Sequence, residues 1–172
     1  METYSNEVLR TLFDTLPNMV LSPEEASLFI KLAIGYGADV AMSTLARSRL
    51  HIAHDILTVL WRSLGRLPDY SYEITNVKIV TLSNYTKNLY MLGEHEHAIE
   101  LCDRGIELCK RFWDGQHLPI FMAGKADNLI KLGQIQAGTQ CLHKACLLFE
   151  GNGQIRDLQL YREIYADLFC ET

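Results

Sequence analysis

Tyr85-Thr86-Lys87-Asn88-Leu89-Tyr90-Met91-Leu92-Gly93 and Lys125-Ala126-Asp127-Asn128-Leu129-Ile130-Lys131-Leu132-Gly133 share the string Asn-Leu-x-x-Leu-Gly at an offset of 40 residues. The same offset relates Ala98 to Gly138, Cys102 to Leu142 and Gly105 to Ala145. One more step carries Thr86 and Ala126 to Ala166, and Leu89 and Leu129 to Phe169. A looser copy lies upstream in Leu45 to Ala53, where Ser48 aligns with Gly93 and Ala53 with Ala98 at an offset of 45. Repetition at such a period marks a stack of small supersecondary units that bury their apolar faces against one another.

The units read as helix pairs. Ile99, Cys102, Ile106 and Cys109 recur at the spacing of one helix face. Ser22-Pro23-Glu24-Glu25 has the order of a helix start, with a capping residue, a proline at the first helical position and acids in the first turn. Gly65-Arg66-Leu67-Pro68, Asp114-Gly115-Gln116 and Gly151-Asn152-Gly153 read as breaks. Gly93 and Gly133 each follow the last periodic leucine, where a left-handed cap is expected. Ala98, Gly105 and Ala145 are small enough to let helix backbones approach closely. No alternating strand pattern appears. The expected fold is all-α, with about eight helices over roughly 3–16, 22–46, 50–65, 70–92, 95–111, 116–132, 135–150 and 154–170. Residues 1–172 are expected to form one repeat domain, with repeats near 22–65, 70–111 and 116–150. An N-terminal helix over 3–16 and a capping helix over 154–170 complete it.

Composition narrows the function. Hydrophobic residues at 48% and charged residues at 22% suit a folded chain. A net charge of -5 with scattered Lys and Arg argues against direct nucleic-acid binding, which needs a cationic face. No apolar run approaches the ~20 residues of a membrane span, and no membrane partner is expected. The five cysteines include no Cys-x-x-Cys pair, and the N-terminus lacks a signal-peptide pattern. Reduced thiols in a cytoplasmic protein are the simple expectation.

The segment from Leu92 to Cys109, Leu-Gly-Glu-His-Glu-His-Ala-Ile-Glu-Leu-Cys-Asp-Arg-Gly-Ile-Glu-Leu-Cys, resembles the second helix of a tetratricopeptide repeat. His95 replaces the usual aromatic residue, and Lys110 the usual closing proline. The longer period and the Asn84-Tyr85 of the first helix are similar to the cytoplasmic quorum-sensing regulators of the Rgg and PlcR type. That resemblance implies a right-handed superhelix of helix hairpins that binds a short peptide or protein segment and forms homodimers. The regulators carry an N-terminal helix-turn-helix. None is seen here, so the chain is expected to be a regulatory domain cut from a larger regulator, or a stand-alone relative.

In such a stack the first helix of each pair lines the concave groove. The resemblance therefore implies a peptide-binding role for Asn84, Lys87, Asn88 and Met91, for Asp127, Asn128 and Lys131, and for Asp39 and Met42 of the looser copy. Asparagine can both donate to and accept from a peptide backbone, and methionine adapts to varied apolar side chains. Each residue also has a plain reading as part of an exposed polar helix face.

A general interaction scaffold or chaperone adaptor is the alternative. Ala38, Met42, Ile120 and Gly124 stand where a clamp for a terminal carboxylate would want Lys and Asn. An enzyme with a dispersed site is a remote alternative, since neither a Gly-rich phosphate loop nor a Gly-x-Ser-x-Gly elbow occurs. No cofactor or metal is expected. His95 and His97 do not share a helix face, and the His51/His54 and Cys102/Cys109 pairs have no zinc-site spacing. Leu158, Tyr161, Tyr165 and Phe169 form a stripe on the last helix, expected to close the array or to supply a dimer surface.

Overall fold

A computed structural model describes residues 47–65 and 72–169. The expected helices over 3–16 and 22–46, with Asp39 and Met42, lie outside the described residues. Seven helices and no strand occur among the described residues: α1 (Arg47–Leu64), α2 (Tyr72–Leu92), α3 (His95–Phe112), α4 (Leu118–Lys131), α5 (Ile135–Gly151), α6 (Ile155–Ile164) and α7 (Ala166–Phe169). The chain divides into two compact units, 1–92 and 93–172.

In the first unit α1 packs on α2. Leu50, Ala53, Leu57, Leu60 and Leu64 recur at three- and four-residue steps and are buried, so they form the inner stripe of α1. Val77, Ile79, Leu82, Tyr85 and Leu89 are buried on α2. Asn88 meets Leu50 while Leu64 packs with Val77, so the two helices run antiparallel. Polar links pin the register within this core. The Tyr85 and Thr58 hydroxyls share a 2.8 Å hydrogen bond, and His54 meets the Tyr85 ring edge-on at 5.6 Å.

In the second unit α4 packs on both α3 and α5, and α6 packs on α5. Small residues set the spacing. A Cβ on Gly105 of α3 would lie 2.5 Å from the buried Phe121 ring of α4. A Cβ on Gly138 of α5 would lie 2.6 Å from Ile130 Cγ1. Gly138 is the position where the repeat pattern expects alanine, and this close approach is the reason for glycine. Leu142, Ala145, Cys146 and Phe149 of α5 complete the core with Ala123 and Ala126 of α4 and Leu158 of α6.

The turns follow a finer rule than the 40-residue repeat. Left-handed residues stand at Gly93, Trp113, Gly133 and Gly153, one every 20 residues. The closures after α3, α4 and α5 match: the N–H groups of Asp114, Gln134 and Gln154 bond back to the carbonyls of Cys109, Leu129 and Phe149 at 2.8–2.9 Å. Each is the 6→1 bond of a Schellman cap, which satisfies a carbonyl that the helix end would leave bare. Gly93 and Gly133 are left-handed as the sequence predicts.

The last helix differs from the single span expected over 154–170. It breaks at Tyr165, which leaves helical geometry before the short α7. Tyr161, Tyr165 and Phe169 pack against the α4–α5 core. The aromatic stripe therefore covers part of the core of the second unit with half-buried rings.

Candidate functional site

A shallow hollow open to solvent lies between the two helices of the first unit. Leu50, Ala53 and Leu57 of α1 supply its apolar floor, and Asn84, Lys87, Asn88 and Met91 of α2 complete its lining. The steps of three and four residues from Asn84 to Asn88 and Met91 put these side chains on one face. The structure thus gathers all four predicted α2 residues at one place.

Their surroundings differ. Lys87 is exposed, Asn84 is half-buried and Met91 is 46% exposed at the rim. Asn88 is only 5% exposed. Its Nδ2 donates to the Leu50 carbonyl at 3.0 Å, which fixes the amide plane. Its Oδ1 is buried and accepts no hydrogen bond among the described residues. An unmet buried acceptor costs on the order of 1–3 kcal/mol, so a ligand N–H that reached it would recover that loss. The hollow thus combines apolar floor, a fixed acceptor and a cation at the edge.

The equivalent positions of the second unit are built differently. Asn128 is 1% exposed, with Oδ1 accepting from His95 Nδ1 at 2.8 Å and Nδ2 donating to the Gly124 carbonyl at 2.7 Å. Both amide ends are therefore spent, Oδ1 on tying α3 to α4 and Nδ2 within α4 itself. Asp127 is half-buried and accepts from the Tyr165 hydroxyl at 2.6 Å and the Tyr161 hydroxyl at 3.4 Å. Burial pushes its carboxyl above the usual range, against the opposing pull of the two hydroxyls and of the Lys131 charge. Burial and the Asp127 charge together push the Tyr161 phenol up. Lys131 is exposed. Asp127 and Asn128 thus serve the internal packing of this unit.

Sequence reasoning missed three features. The Asp127–Tyr161–Tyr165 cluster joins residues 34 and 38 apart, which no local pattern reveals. The His95–Asn128 bond gives a purpose to the residue that departs from the aromatic habit of the repeat. Trp113 takes a glycine's left-handed slot with φ 58° and is 91% exposed. Its signal was legible as the one non-glycine in the series 93, 113, 133, 153.

Cys102, Cys109, Cys141 and Cys146 form no disulfide, and all are buried except the half-buried Cys141. Burial, helped by the Asp114 charge, pushes the Cys109 thiol up to about 12, the opposite of an activated nucleophile. Among the described residues no group of three or more His, Cys, Asp or Glu is placed to hold a metal ion, and no helix is long and apolar enough to cross a membrane. No protein-family model, curated protein or solved structure matches this chain.

Proposed function

We propose that this protein binds a short peptide or protein segment in the hollow between α1 and α2, as the signal-sensing part of a bacterial transcription regulator. One observation carries the reading: Asn84, Lys87, Asn88 and Met91 converge on one apolar hollow in which the Asn88 carbonyl oxygen is buried and unmet. An extended peptide offers an N–H at every residue and side chains that can enter the floor. The reading includes a right-handed superhelix of tetratricopeptide-like hairpins, supported by the repeated left-handed caps and small-residue contacts. It leaves Asp127 and Asn128 out of the contact set, because both are engaged within their own unit. The regulator assignment rests on the sequence resemblance alone. A general interaction scaffold would use the same hollow, and the nature of the partner separates the two.

The test is selection from a pool of synthetic heptapeptides followed by calorimetric titration of the best binder. Asn84→Ala removes a half-buried amide at the hollow without touching the core. Binding is expected to weaken roughly fivefold or more, in line with one lost neutral hydrogen bond. The thermal midpoint should stay nearly unchanged. Equal affinity of the variant and wild type, or failure of any peptide to bind, would refute the assignment.

A further inference from the structure

The hollow of the first unit carries a single charge. Of the side chains that line it only Lys87 is ionisable. No Asp or Glu occurs from residue 74 to residue 93, so nearly all of α2 lacks an acid. Lys87 is exposed and has no carboxylate partner among the described residues. On α1 the acid closest in sequence to the floor is Asp55. It stands two residues from both Ala53 and Leu57, so it lies off their helix face, and it has a partner of its own. Glu94, the next acid after Lys87, follows the Gly93 turn and lies 3.7 Å from His97.

The groups beside Lys87 are neutral. Asn84, three residues before it, is half-buried, and its amide forms no hydrogen bond among the described residues. Asn88 Nδ2 is held by the Leu50 carbonyl at 3.0 Å and does not compete for an anion. Ala53 is the smallest side chain of the floor, one turn from both Leu50 and Leu57, and makes room there for one aliphatic group. Met91 is 46% exposed at the rim and adapts to the shape of an apolar neighbour.

Resting on the peptide-binding reading of the hollow, we propose that its peptide carries a carboxylate beside a small aliphatic side chain. The aliphatic group lies on the floor, and the carboxylate meets the Lys87 ammonium and the Asn84 amide. One unpaired cation next to neutral amides and an apolar floor is complementary to that pair of groups. A lone ammonium suits a carboxylate better than a phosphate, which is gripped by several donors or by the planar fork of arginine. It also falls far short of the row of cations that a nucleic acid needs. An Asp or Glu side chain and a free C-terminus offer the same group. The chain's net charge of -5 opposes anionic peptides in general, so a preference for them has to come from a local cation.

The test uses the full chain and two pools of synthetic heptapeptides, one ending in a free acid and one in an amide. The best binder of each pool is titrated, and then its neutral copy, with Gln for Glu, Asn for Asp, or an amidated end. Neutralising the carboxylate should weaken binding to wild type about threefold or more, the scale of one partly screened ion pair. The pool that retains the effect tells a side-chain carboxylate from a terminal one. In Lys87→Gln, which keeps most of the side-chain length, the acid and its neutral copy should bind alike. Binders without a carboxylate that are still weakened by Asn84→Ala would leave the peptide reading intact and overturn this one. A carboxylate effect that persists in Lys87→Gln would also overturn it, by placing the cation elsewhere. Failure of both pools to bind would sink the peptide reading and this ligand with it.

Discussion

At the scale of single residues, backbone geometry and side-chain exposure conflict most openly at Trp113. A side chain with a Cβ pays on the order of 1 kcal/mol in the left-handed region, and an indole that is 91% exposed returns little of that by burial. Trp113→Gly should therefore raise stability by about 0.5–1 kcal/mol, after allowance for the looser unfolded chain. Urea denaturation would show it as a higher midpoint with an unchanged slope. Gly138 is the opposite case. Alanine is the better helix former by about 1 kcal/mol. Its Cβ, however, would sit 2.6 Å from Ile130 Cγ1 and 3.2 Å from the Ala126 carbonyl oxygen. Backbone atoms yield little, and overpacking of this kind costs about 1–3 kcal/mol, so Gly138→Ala should be a net loss. A thermal midpoint above wild type would show that α5 can shift away from α4.

At the scale of the helical element, α6 is held by a buried core and a polar latch. Leu158 enters the core, Tyr161 stacks on Phe149 at 5.7 Å, and the two tyrosine hydroxyls converge on Asp127. The Asp127 carboxyl is raised above its ordinary value, chiefly by burial. The folded state therefore holds that proton more tightly than the unfolded state does. Asp127 favours folding below the ordinary carboxylate pKa, and this contribution is lost as pH rises through the raised value. Asp127→Asn removes the charge and keeps an acceptor for Tyr165. Its stability relative to wild type should improve as pH rises from about 4, the ordinary carboxylate value, through the raised value of Asp127. A constant difference across that range would mean that the carboxyl titrates as an exposed one. Little of this latch was legible in the sequence. The aromatic stripe on the last helix was visible from its four-residue steps. Its partner was not, because Asp127 lies on a helix two elements away and only packing brings them together. By contrast, the caps at Gly93 and Gly133 were readable, since a glycine after a periodic leucine has one common use.

At the scale of the whole chain, the all-helical class followed from one repeated string, because Asn-Leu-x-x-Leu-Gly carries a buried leucine, a half-buried one and a turn together. The candidate site was legible only in part, for a physical reason. Repeat register tells which positions are equivalent, but not whether an equivalent side chain is free. Asn88 and Asn128 occupy the same slot 40 residues apart. One keeps an unmet oxygen beside a hollow, and the other spends both ends on α3 and α4. The account therefore places the ligand on the first unit. The most direct measurement is photo-crosslinking of a selected heptapeptide bearing a diazirine side chain, with adducts located by mass spectrometry. The account predicts adducts within residues 84–91 and 50–57, competed away by unlabelled peptide and reduced in Asn84→Ala. Competable adducts confined to residues 118–169, unchanged by Asn84→Ala, would contradict it.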